Sequence, residues 1–163
     1  QATFPIDIAI QAVNNIHPTR KVSPNKVIMG DRVLSGKSLR SLVGIIIMLL
    51  ENAITHSRMP DCAPDMSIEC DCDEKGFKLR ITNEISSEVK VKDEARKVKE
   101  IISKITVAKK STDMVKKDGG SGFYKVAKIL TTDLGCEYEL DAFFENKKNF
   151  VFSLRILRGR IFV

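Results

Sequence analysis

Tryptophan is absent from this 163-residue sequence, and its aromatics are eight Phe and two Tyr. Such a set offers no platform on which unpaired bases could stack, so the usual single-strand nucleic-acid readers are disfavoured. Its most apolar run, LVGIIIMLL at residues 42–50, is nine residues long. A membrane-spanning helix needs about 20, so this run reads as a buried helix. No basic-then-apolar leader opens the chain, which begins with Gln; the expectation is an excised cytoplasmic domain with no membrane contact of its own. The four cysteines (Cys62, Cys70, Cys72 and Cys136) lack paired CxxC spacing and have no neighbouring His. They read as reduced and buried rather than as zinc ligands. Internal repeats and low-complexity segments are also lacking.

What is present is ordinary for one soluble domain: 43% hydrophobic and 29% charged residues, with a net charge of +6. Charge alone leaves a nucleotide, a nucleic acid and a merely basic surface open. Apolar spacing predicts a helix over residues 6–16, stopped by His17 and Pro18. A strand follows at 26–30, then a long helix over 38–56 with Ser38 as N-cap and Leu39, Leu42, Val43, Ile46, Leu49, Leu50 and Ala53 as its buried face. Residues 66–73 and 77–82 alternate as a hairpin, with Ile68, Cys70, Cys72, Phe77, Leu79 and Ile81 on one face. A polar stretch with a helix near 94–105 comes next, then a helix carrying Phe123, Val126, Ala127 and Leu130. Strands at 136–140 and 150–156 close the chain. This order predicts a two-layer α/β sandwich: a mixed, mostly antiparallel sheet covered on one face by helices.

Three segments carry chemistry. Gly119, Gly120 and Gly122 surround Ser121 directly before a helix, approached by Lys116 and Lys117. Helix N-termini present unpaired N–H groups, and glycines let the backbone approach phosphate closely. No Gly-Lys-Ser/Thr ends the run, so it is not a Walker loop, and its late position excludes a dinucleotide fingerprint. Taken alone, such a start is often only a turn. Asn52 and His56 lie four apart and share one face at the end of the long helix. Asn83 sits just past the strand that is expected to end at Thr82. By themselves these two segments read as a helix end meeting solvent and a strand terminator.

In this order, and over residues 26–156, the segments resemble the histidine kinase-like ATPases. That family shares the Bergerat fold and includes sensor histidine kinases, type II topoisomerases and mismatch-repair ATPases. LLENAITHS (49–57) looks like the family's N-box, FKLRITNEIS (77–86) like its first glycine box, GGSGFYKVAKIL (119–130) like its second, and NFVFSLRIL (149–157) like its final strand. The resemblance implies ATP and Mg²⁺ as cofactors, with Asn52 as the Mg²⁺ ligand. It also implies an acceptor at Asn83 for the adenine amino group, and a glycine box around the phosphates. The nucleotide contacts it implies are Asn52, His56, Asn83, Lys117, Gly119, Gly120, Ser121, Gly122 and Phe123. Residues 84–118 become an ATP lid, with Lys109, Lys110 and Lys116 beside Lys117. Residues 1–25 become an N-terminal helix and connection within a single domain spanning 1–163.

Departures from the family pattern shape the expected activity. Ile85 and Ser87 stand where the first box has glycines, and Asp118 replaces the first glycine of the second. Met48 lies four before Asn52, where hydrolytic branches carry a general-base Glu, and a thioether cannot polarise water. Thr55 stands where many histidine kinases have a basic residue. Hydrolysis is therefore disfavoured. The expectation is an ATP·Mg-binding domain serving phosphotransfer to a histidine on a phosphoacceptor domain elsewhere, or an ATP-controlled switch acting on an effector domain. The alternative is a degenerate nucleotide- or protein-binding module of the same fold, and whether the chain is an enzyme stays open. A nucleic-acid partner ranks last.

Overall fold

A computed structural model describes residues 3–30, 33–73, 76–108, 122–158 and 161–162. The chain runs α1 (Thr3–Ile16), β1 (Asn25–Met29), α2 (Gly36–His56), β2 (Met66–Asp73), β3 (Gly76–Glu84), α3 (Val91–Ala108) and α4 (Gly122–Lys128). A π-helical turn (Ile129–Asp133) then leads into β4 (Glu137–Glu145) and β5 (Asn149–Arg158). The five strands form one sheet in the order β1-β2-β3-β5-β4. Only β1 and β2 are parallel; the other three pairings are antiparallel. This is the mixed α/β sandwich that the sequence predicts.

Strand alternation divides the sheet into two chemically different faces. On the inner face Phe77 pairs with Ile156, Leu79 with Leu154 and Ile81 with Phe152, and all six are buried. Leu140 and Ala142 continue these rows on β4. Helices α1 and α2 cover them through Ile6, Ala9, Val13, Leu42, Ile46 and Leu50. Tyr138 is also buried there, its hydroxyl donating to the carbonyl of Ala127 at 3.4 Å; burial raises its pKa. The outer face carries Glu69, Asp71, Lys78, Arg80, Glu139 and Arg155, with ion pairs running between strands.

Helix α2 begins two residues before the sequence expectation. Ser35, not Ser38, is its N-cap: Ser35 Oγ accepts from the Ser38 backbone N–H at 3.3 Å, and the two hydroxyls lie 2.7 Å apart. Ser38 is instead buried in the first turn. The buried stripe includes Ile45 and Ile54, whereas Leu39 and Val43 are only half-buried. The stripe is turned and not widened: Ile45 and Ile54 take the places of Leu39 and Val43 on the buried side of a helix that packs against α1 and α4. Among the described residues α2 is the one helix long and apolar enough to cross a membrane by composition; here that apolarity faces the core.

Two further expectations need correction. Strand β3 continues to Glu84, because β5 extends far enough to pair Asn83 with Phe150 and Glu84 with Asn149. Asn83 is therefore a strand residue on the inner face. Cys62 is exposed, in the loop after α2, whereas Cys70, Cys72 and Cys136 are buried thiols. Cys70 and Cys72 lie 3.9 Å apart, sulfur to sulfur. The thiol hydrogen bond between them pushes Cys70 up and Cys72 down, and burial adds to the first shift and opposes the second.

Candidate functional site

At the end of the sheet that carries Met66 and Asn83, the inner-face layer opens into a cavity of about 250 Å³. Its walls come from the last turns of α2, the end of β3, helix α3, the start of α4 and the β4–β5 hairpin. Asn52, His56, Asn83, Gly122 and Phe123 all line it. Five residues from three separate sequence segments thus converge on one hollow. Lys109, Lys110, Lys116, Lys117, Asp118, Gly119, Gly120 and Ser121 lie outside the described residues.

Each polar group has a structural reason for its place. Asn52 borders the apolar stripe of α2, between buried Leu49 and Ala53 on the same wall, and is itself half-buried. Its amide lies against the first residue of α4: a Cβ on Gly122 would overlap Asn52 Nδ2. The glycine leaves room for that close approach, which brings the Asn52 amide to the helix start. His56, one turn further along α2, is exposed at the cavity wall.

Asn83 is 3% exposed, yet it belongs to the inner-face row. Its Nδ2 donates to the Glu84 carbonyl at 2.9 Å. That bond engages the donor side of the amide, and Asn83 lines the cavity. The apolar walls are aromatic. Phe123 stacks on Phe152 with centroids 5.8 Å apart and planes 5° from parallel, and Phe144 meets Phe150 edge-on at 5.0 Å. Ile81, Ile85, Val98 and Ile101 complete the apolar lining.

Sequence reasoning missed several lining residues. Phe144 and Phe150 stand at the ends of paired strands, where residue type alone does not show which way a ring turns. Glu94 reaches the cavity because α3 starts at Val91, three residues before its expected beginning. Arg58 enters through a left-handed backbone (φ 54), a conformation unfavourable for a side-chain-bearing residue by roughly 1–2 kcal/mol. No sequence signal marks it. Met48 is half-buried and packed against the core, in keeping with a position that has no base chemistry.

A larger depression, about 400 Å³, lies on the outer face between Glu69, Lys78, Arg80, Glu139 and Arg155. Most of its charges already have partners: Lys78 meets Asp71 at 3.1 Å, and Arg155 meets Glu139 at 3.7 Å. The smaller cavity is the better candidate, because it gathers Asn52, His56, Asn83, Gly122 and Phe123 against an aromatic wall.

Comparison with known proteins settles the family. The model described as "y4jQ C-terminal putative histidine kinase domain" matches residues 3–156. The chain belongs to that family. It is a histidine kinase-like ATPase domain, as its three boxes imply. Among solved structures it resembles the mycobacterial sensor histidine kinase MprB at 15% identity and a TM-score of 0.55, covering 98% of this chain and 97% of that one. The histidine kinase AdeS of Acinetobacter baumannii gives 14% identity and a TM-score of 0.58, with 96% of this chain matched to 64% of that one. The catalytic domain of histidine kinase ThkA gives 12% and 0.53, covering 93% and 91%. At these identities the likeness is one of fold. No curated protein matches the chain in sequence.

Proposed function

We propose that this histidine kinase-like domain binds ATP with Mg²⁺ in the α2–β3–α4 cavity and serves phosphoryl transfer to a histidine outside the chain. The observation that carries the reading is the convergence of Asn52, Asn83 and Gly122 on one aromatic-walled slot. Asn83 Oδ1 accepts from the exocyclic amino group of adenine, and the Phe and Ile walls hold the ring. Because Nδ2 is engaged by Glu84, the free atom is an acceptor, so an amino-purine is favoured over an oxo-purine. Asn52 is the metal-holding side chain, and its amide oxygen suits a hard cation. When bound, Mg²⁺ supplies charge neutralisation for the phosphates. The start of α4 and the glycines before it orient those phosphates, and His56 flanks them or the ribose. Catalysis in such a site is chiefly positioning and electrostatics.

Hydrolysis in place is not part of the proposal, since Met48 offers no base. His56 belongs to the cavity wall, and His17 lies 4.0 Å from Glu51 on the α1 side of α2. The phosphoacceptor is therefore sought on another domain or protein, with the lid region between β3 and α4 governing access. Calorimetric titration of ATP with and without Mg²⁺ tests this. Binding is expected with Mg²⁺, and Asn52→Ala should remove the magnesium dependence. Absence of binding at millimolar ATP overturns the reading.

A further inference from the structure

Arg58 is the one Arg or Lys lining the cavity among the described residues, and Glu94 is the one carboxylate. They face each other across the opening: Arg58 Nη2 lies 4.0 Å from Glu94 Oε1, which joins the end of α2 to the first half of α3. Two observations make this more than a surface pair. The first is the backbone. Arg58 adopts the left-handed region (φ 54) within a turn held from both sides. Arg20 donates from Nη2 to the carbonyls of Ile54 at 3.0 Å and Met59 at 2.9 Å, and from Nε to that of Cys62 at 3.2 Å. On the opposite side the Ser86 N–H donates to the Ser57 carbonyl at 2.7 Å, and Ser57 Oγ donates to the Ile54 carbonyl at 3.0 Å. Hydrogen bonding on both flanks holds a strained residue where its side chain reaches the slot. Strain maintained in this way is a pointer to function.

The second observation is the spare partner of Glu94. Its Oε1 also lies 3.0 Å from Lys97 Nζ, one turn along the same helix. Arg58 can therefore leave Glu94 without stranding a carboxylate. The far end of α3 is fixed separately, by Ile105 at 1% exposure.

We infer that Arg58 is the phosphate-binding cation of this cavity, and that Glu94 holds it from α3 until the phosphates of a nucleotide take its place. The inference rests on the nucleotide reading above. A polyphosphate offers the guanidinium several charged oxygens at fork spacing, whereas Glu94 offers one oxygen at the limit of contact. Nucleotide entry thus exchanges one ion pair for a stronger one and frees the first half of α3 from α2. Glu94 opposes the ligand twice, by occupying Arg58 and by placing a negative charge in the slot.

The test is calorimetric titration of the chain with ATP and with adenosine, both in Mg²⁺. Arg58→Met and Arg58→Gly should lower ATP affinity by roughly tenfold while leaving adenosine unchanged. Arg58→Gly should also melt at or above the wild-type temperature, because glycine accepts φ 54 without strain; a loss of ATP affinity then cannot come from unfolding. Glu94→Gln should tighten ATP several-fold, and that gain should vanish in the Arg58→Met background. If ATP and adenosine bind but their affinity ratio is unchanged in both Arg58 variants, this inference falls and the nucleotide reading stands. If neither ligand binds the wild type, both fall together.

Discussion

The two faces of the sheet share their strands and differ in almost everything else. On the inner face, side chains from β2, β3, β4 and β5 pack against helices, and the cavity opens where that packing ends at Asn83. On the outer face, acidic residues of β2 and β4 flank Lys78, Arg80 and Arg155 of the central strands. The outer depression is larger, yet most of its charges are paired with one another; the inner cavity is smaller and sets the Asn52 and Asn83 amides against an aromatic wall. Polar chemistry against an apolar wall marks a binding site better than volume does.

Neighbouring residues that point to opposite faces give the sharpest ways to break this contrast. Leu154 is buried and Arg155 exposed. Leu154→Ala should cost about 2–5 kcal/mol in denaturant unfolding, and Arg155→Ala under about 1 kcal/mol, since it removes only a surface ion pair. Equal costs would contradict the division of faces. Asn83 and Thr82 form the second pair. Asn83→Ala should weaken ATP by roughly tenfold or more, and Thr82→Ala should leave titration unchanged. Gly122→Ala should have a smaller effect. Its methyl meets only the end of the Asn52 side chain, which must rotate away, so the Mg²⁺-dependent part of ATP binding should fall several-fold while adenosine binding persists.

The smallest effect concerns pH. Burial raises the Tyr138 pKa above its ordinary value of about 10. The neutral phenol is therefore favoured in the folded state, and its contribution is fully present below the unfolded pKa. It is lost as pH rises through the folded value. Thermal melts from pH 9 to 11 should show a decline that is shallower in Tyr138→Phe. An identical decline in both would remove Tyr138 from the inner-face account.

Much of the fold was legible because periodicity follows burial. The α2 stripe, the β2–β3 alternation and the spacing of Phe123, Val126, Ala127 and Leu130 each report one face of one element. The cap of α2 was misplaced because Ser35 and Ser38 are equally good capping residues, and backbone ties decide between them: the Ser35 N–H donates to the Ile161 carbonyl at 2.9 Å. The end of β3 was placed early because its extension depends on pairing with β5, more than sixty residues further along the chain. For the site, Asn52, His56, Asn83, Gly122 and Phe123 were readable as motif positions. Arg58 was not, because a left-handed arginine leaves no trace in residue type. Nor were Phe144 and Phe150, whose place depends on where the β4–β5 hairpin ends against α4.

The central claim is that nucleotide enters the inner cavity and not the outer depression. Backbone amide shifts in NMR spectra, followed while ATP and Mg²⁺ are added, test it most directly. The account predicts changes clustered at Asn52, His56, Asn83, Ile85, Gly122 and Phe150, with Lys78, Arg80 and Arg155 unmoved. Shifts centred on those outer-face residues, or none at millimolar ATP, would contradict it.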